Sequence, residues 1–267
     1  MNLLRRLKAI VETPETGAAT ATLQLTDIVV LTYAVPVERV APLLPCGFVA
    51  DVLPDSEGNP RAFVQIMCAF VEEARWSPAP KGSGEAYREI TYRVLGRVDK
   101  TKPGAYLLRS FYTADGMYLA QRALHKNADF ARASVHISGD PVRGVFDGYQ
   151  LRTTADRGTT EWELVAADTD VVPAPFGTLA DMTRFLMRRE SVYFAPSAAP
   201  SGWQGHAPVA FPAEMPAPTL VKLVSARLTP WREWGVLSVE DALAPQSALY
   251  VPSLTVTAYP PRPARIP

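Results

Sequence analysis

Nine runs rich in β-branched and aromatic residues, each cut off by turn formers, constrain this chain more than any other feature. They lie at 22–35, 62–71, 87–98, 105–113, 131–138, 144–153, 159–166, 219–228 and 248–258, and their length and composition predict strands. The 25 prolines and 16 glycines punctuate the sequence into short segments instead of gathering in one linker, so a single domain over 1–267 is expected, a length that β barrels and sandwiches reach as one unit. Helical periodicity is confined to 37–44 after Pro36, 117–127 and 179–189, too few helices to cover both faces of a parallel sheet. The fold class expected is therefore mainly β (β-rich α+β): a closed antiparallel β-barrel with a few short helices. The Pro/Ala-rich stretch 195–218 reads as a long ordered loop.

Several function classes lose support early. Lys+Arg and Asp+Glu both number 27, so no global field draws the chain to nucleic acid or to an anionic membrane. Cys46 and Cys68 have none of the spacing of a secreted scaffold, which suits reduced thiols and a cytoplasmic protein. Residues 1–14 read as an N-terminal docking helix, because Leu3, Leu4, Leu7 and Ile10 recur at helical spacing with Arg5, Arg6 and Lys8 among them. A secretory signal needs an uninterrupted apolar core, and no stretch is long enough to span a bilayer. His125, His136 and His206 lack paired metal-ligand spacing, so no metal is expected. Nor does a phosphate loop, nucleophile elbow or dinucleotide fingerprint occur, so no cofactor is expected.

Polar residues inside the predicted strands carry the functional signal. A period of two puts Tyr87, Glu89, Thr91, Arg93 and Leu95 on one face of their strand. Either that face is solvated, or it lines a polar lumen. Arg109 shares parity with Leu107 and Phe111, and a guanidinium among apolar neighbours needs a partner, for which Glu89 is the natural candidate. Asp27 repeats the pattern in the first strand and reads as structural. On the helix at 179–189, the apolar stripe through Met182, Phe185 and Leu186 continues into Arg189 and Tyr193. A cation there also complements the helix dipole.

The segment Tyr87-Arg88-Glu89-Ile90-Thr91-Tyr92-Arg93-Val94, followed by Pro103-Gly104-Ala105-Tyr106 and Arg109-Ser110-Phe111, resembles domain of unknown function 2071, a bacterial family also called YqjF-like. Pro42-Leu43-Leu44-Pro45 is similar to its Leu-Pro turn, and Phe185-Leu186 with Arg189 and Tyr193 to its next helical motif. His206-Ala207-Pro208 resembles its His-Pro-Pro-Trp segment, with Val209 where tryptophan is usual. The likeness runs from about Leu23 to about Leu228. It implies kinship with acetoacetate decarboxylase, hence a barrel with a central polar cavity, and so favours the lumen reading. That enzyme forms a Schiff base through one lysine of an adjacent pair, the second cation lowering the pKa of the first. In this chain the pair would fall at Asp129 and Phe130, neither able to form an imine, and the nearest lysine, Lys126, is three residues early. Schiff-base decarboxylation is therefore expected to be absent.

Three functions follow as expectations. The first is a small-molecule-binding barrel for an organic anion such as a carboxylate, with Arg93, Arg109, Tyr87, Arg189, Tyr193 and His206 around the ligand and Glu89 titrating. A second is a cofactor-independent lyase, tautomerase or hydratase using Glu89 as general acid or base. The third is a scaffold presenting Trp231, Trp234 and Tyr250 to a partner. Homo-oligomerisation is left open.

Overall fold

The computed structural model describes residues 21–76, 85–98, 103–140, 145–168, 171–197 and 203–265, and the expected docking helix over 1–14 falls outside them. All nine predicted strands are present within a few residues of their expected ends: β1 (Ala21–Pro36), β4 (Pro60–Trp76), β5 (Tyr87–Val98), β6 (Gly104–Tyr112), β8 (Arg132–Asp140), β9 (Val145–Ala155), β10 (Gly158–Ala166), β13 (Thr219–Leu228) and β14 (Ser247–Ala258). Six short ones join them: β2 (Phe48–Ala50), β3 (Val52–Pro54), β7 (Ala128–Phe130), β11 (Ser191–Phe194), β12 (Trp203–Ala210) and β15 (Arg262–Arg265). Strand β12 corrects the expected loop at 195–218, where prolines masked a strand that pairs with β11 and β15. The helices are α1 (Val37–Val40), α2 (Asp115–Leu124), α3 (Leu179–Met187) and α4 (Thr229–Glu233).

The strands form one sheet in the order β15-β12-β11-β6-β5-β4-β1-β14-β13-β10-β9-β8. It is mainly antiparallel, but β6 pairs in parallel with both β11 and β7. A further ladder of two pairs, Val209 with Ala258 and Ala210 with Thr257, links β12 to β14. Gly104, from the Pro-Gly turn, allows the β6–β11 approach: a Cβ there would sit 2.8 Å from the Ser191 carbonyl oxygen and 2.9 Å from the Tyr193 ring.

The central strands are covered on both sides, so alternate residues enter different cores. Val29, Leu31, Cys68, Ile90, Tyr92 and Val94 pack under Tyr149, Leu151 and Trp162 of β9 and β10 and Trp231 of α4. On the opposite face Val30, Ala69, Val71, Tyr87 and Leu95 pack under Met182 and Leu186 of α3. Burial of this kind contributes roughly 1.5–3 kcal/mol per large apolar side chain. It also explains why β1 and β4 read as nearly continuous apolar runs. A register shift separates the pairs Thr26–Phe70 and Val29–Cys68 in the β1–β4 ladder, and within it Asp27 takes a φ of 49°, a left-handed conformation that aspartate tolerates better than most residues.

Candidate functional site

Strand β5 places Glu89, Thr91 and Arg93 on the α3 side, and β6 sets Tyr112 opposite Glu89, Ser110 opposite Thr91 and Leu107 opposite Arg93. The Tyr112 hydroxyl donates to Glu89 Oε1 at 3.1 Å. Burial pushes the Glu89 carboxyl up, against the opposing pull of the Tyr112 bond and the Arg93 charge. Arg93 is 7% exposed, and its Nε donates to Gln65 Oε1 at 2.9 Å. Its pKa is lowered to about 10 by burial first and by the Arg189 charge second. Gln65 in turn donates to Thr32 Oγ1 at 3.1 Å and to the Leu186 carbonyl at 3.0 Å, so β4 ties this face to the last turn of α3. Tyr87 closes one end, its ring 6.1 Å from that of Tyr112.

One hydroxyl in this row is not accounted for. Thr91 Oγ1 is buried without a hydrogen-bond partner, although a buried polar group normally finds one in protein or water. His125, which caps the C-terminus of α2, adds a second such group. It is 2% exposed, both ring nitrogens lack a partner, and its edge meets Tyr112 with centroids 6.4 Å apart. Burial first, then the Arg122 charge, brings its pKa down to about 4, so the imidazole is neutral at pH 7. Sequence reading missed His125 because a lone histidine at a helix end carries no spacing signal. Gln65 was missed because it lies within an apolar run, where a single polar residue gives no hint of what it touches.

The other expected site residues lie elsewhere. Arg109 does not meet Glu89. The ladder register pairs Glu89 with Tyr112 and Arg109 with Tyr92, so Arg109 lies on the opposite side of the sheet, and the shift that leaves Leu108 unpaired comes only after it. There its Nη1 donates to the Arg157 carbonyl at 2.7 Å, its guanidinium lies 3.7 Å from both Asp129 and Glu233, and it stacks over Trp234. Tyr193 and His206 are neighbours across the β11–β12 ladder, their rings stacked at 4.8 Å. His206 is within 3.2 Å of Ser191 Oγ, and Tyr193 belongs to the first core with Phe48. Arg189 is 2% exposed and is held by Asp51 and the Phe185 carbonyl. Of the partners expected for a scaffold surface, Trp231 and Tyr250 are buried. Asp27 accepts from the Tyr250 hydroxyl at 3.1 Å and lies 3.6 Å from Arg88, the structural role expected of it.

Asp129 and Phe130, where the sequence resemblance sets the lysine pair, hold no amine. Asp129 faces Arg109 and Arg157, each at 3.7 Å, and Phe130 packs on Tyr118. Both lysines among the described residues, Lys126 and Lys222, are exposed. Among the described residues no group of three or more metal-ligating side chains comes together, and no helix is long and apolar enough to cross a membrane.

No protein-family model matches the sequence, and no curated protein matches it. Solved structures do. An acetoacetate decarboxylase-like enzyme from Sphingomonas wittichii RW1 matches with a TM-score of 0.60 at 9% identity, over 94% of this chain and 95% of that one. The enduracididine biosynthesis enzyme MppR complexed with pyruvate matches at 0.55 and 11% identity, over 94% and 92%. Acetoacetate decarboxylase from Legionella pneumophila matches at 0.54 and 9%, over 95% and 92%. At these identities the likeness is one of fold, and it agrees with the acetoacetate decarboxylase-like architecture expected from the sequence.

Proposed function

We propose that the chain is a small-molecule-binding protein of acetoacetate decarboxylase-like architecture, whose ligand is an organic anion held around Glu89 and Arg93. One observation carries the reading: the buried hydroxyl of Thr91 has no partner and lies, beside Ser110, on the face that also holds a raised carboxyl and a buried guanidinium. Four polar groups converge where an apolar core would be cheaper, which is how a binding site differs from packing. Arg93 supplies the charge that attracts a carboxylate, and Glu89, whose carboxyl burial shifts toward the protonated form, donates to it when it carries its proton. The β12–β14 ladder supports reading the wall as a closed barrel over a single domain.

Because a neighbour of the same fold is complexed with pyruvate, pyruvate and acetoacetate are the first ligands to try. Calorimetric titration should give saturable binding that weakens as pH rises through the Glu89 pKa, while Glu89→Gln binds as tightly and loses the pH dependence. Arg93→Gln should weaken binding about tenfold or more. Absence of binding by either acid, or binding indifferent to both substitutions, sinks this reading.

The raised Glu89 carboxyl beside Tyr112 favours a second reading, proton transfer next to a carbonyl without a cofactor. Exchange of the pyruvate methyl protons with D2O, followed by proton NMR, separates the two. Exchange that disappears in Glu89→Gln makes the protein a tautomerase, hydratase or lyase type; binding without exchange makes it a binder. With no amine at Asp129 or Phe130, acetoacetate decarboxylation through a Schiff base belongs to neither reading.

A further inference from the structure

Beyond the Glu89 cluster, one cavity gathers a surplus of positive charge. It measures about 320 Å³ and is lined by Arg97, Arg184, Arg188 and Arg189 together with Asp51, Glu190, Phe185 and Pro103. Four guanidiniums thus face two carboxylates, and both carboxylates are engaged. Asp51, 5% exposed, receives Arg97 Nε at 3.0 Å on Oδ1 and Arg189 Nη1 on Oδ2. Glu190 stands 3.9 Å from Arg188 Nε. The arginine side chains are graded in depth: Arg189 is 2% exposed, Arg188 38%, Arg97 44% and Arg184 70%. Arg189 Nε is buried and makes no hydrogen bond, while its guanidinium lies 4.8 Å over the Phe185 ring.

Surplus positive charge concentrated in a small cavity attracts anions, and a guanidinium fork matches the planar geometry of a carboxylate or two oxygens of a phosphate. The volume is within the range of small-molecule sites, and Phe185 and Pro103 offer an apolar surface beside the charges. We propose that this cavity is a second binding site, separate from the Glu89 cluster, for the carboxylate or phosphate of a small organic anion whose apolar body rests on Phe185 and Pro103. The two sites meet at the end of α3, where Leu186 accepts from Gln65 and Phe185 accepts from Arg189.

Calorimetric titration of the full chain with benzoate and with phenyl phosphate tests the assignment, and the probe that binds tells which oxyanion the cavity takes. The expected result is saturable binding of at least one probe, weakened about tenfold by Arg188→Gln, weakened by added salt and unchanged by Arg93→Gln, which weakens binding at the Glu89 cluster. Arg188 is partly exposed, so its substitution leaves the buried Asp51 pair intact; Arg97→Gln provides an independent second variant and should weaken binding likewise. No saturable binding of either probe, binding unaffected by both Arg188→Gln and Arg97→Gln, or binding lost in Arg93→Gln would each overturn the proposal. The last result would place the anion at the Glu89 cluster instead, whereas failure of pyruvate and acetoacetate to bind leaves this cavity unaffected.

Discussion

The polar side chains of β5 itself fare differently on its two faces, while the packing partners Trp162 and Trp231 on the β9–β10 side each keep a buried N–H without a partner. On the face toward β9 and β10, the polar side chains of β5 find partners: Tyr92 and Thr160 share a 2.5 Å hydrogen bond, Arg88 donates to Tyr149 at 3.0 Å, and Arg88 also reaches Asp27. The face toward α3 leaves Thr91 unsatisfied beside Glu89 and Arg93. A closed network contributes to stability and specifies packing. An open one lowers stability, and a fold retains such a cost most often where a ligand or water completes the network.

Substitutions on the two faces should therefore separate stability from binding. The largest effect is expected for Tyr92→Ala, which empties a fully buried ring packed edge-on against Phe111, Trp231 and Trp234. Denaturant unfolding should show a loss of about 4 kcal/mol. A loss under about 1 kcal/mol would mean that this core is looser than its packing suggests.

Thr160→Val and Thr91→Val make the same chemical change on opposite faces. The first strands the Tyr92 hydroxyl and should cost about 1–2 kcal/mol. The second removes an unpartnered hydroxyl and should leave stability the same or raised by up to about 1 kcal/mol, while weakening pyruvate binding. Equal losses in both variants would erase the distinction between the faces.

Acidity offers a subtler test. The Glu89 carboxyl is raised in the folded state by burial, whereas in the unfolded chain it ionises near about 4.3. Between those two values the folded protein binds more protons, so this group makes stability fall as pH rises. Melting temperatures of wild type and Glu89→Gln across that range should diverge, with wild type declining more steeply toward higher pH. Parallel curves would show that Glu89 is solvated. The smallest change belongs to the exposed Lys126: Lys126→Ala should alter neither binding nor stability beyond about 0.5 kcal/mol, and a loss of binding would bring an amine back into the site.

Much of the strand pattern was legible because β-branched runs and turn residues are local signals. The strands that escaped notice are short or proline-bearing. β7 and β11 pair in parallel with β6, and β12 carries Pro208 within a ladder, so neither composition nor length marked them. The site was half legible. Glu89, Thr91 and Arg93 share a face by simple alternation, but the expected Arg109–Glu89 meeting fails because the ladder sets Glu89 opposite Tyr112 and Arg109 opposite Tyr92, and the unpaired Leu108 moves Leu107 off the face of Arg109. Such an offset depends on how two strands meet, and neither strand alone records it.

The sequence by itself determined the mainly β class and the polar row on β5, since period-two geometry is a property of the backbone within one strand. It also determined that no lysine stands at 129 or 130. Only the tertiary structure decided that Gln65, Tyr112 and His125 join that row, that Arg109 and Asp129 face the other way, and that Asp51 draws Arg97 and Arg189 into one pocket. These partners come from segments far apart in the chain, and their meeting follows from ladder register, helix docking and the need of each buried charge for a counter-charge, none of which a local pattern encodes.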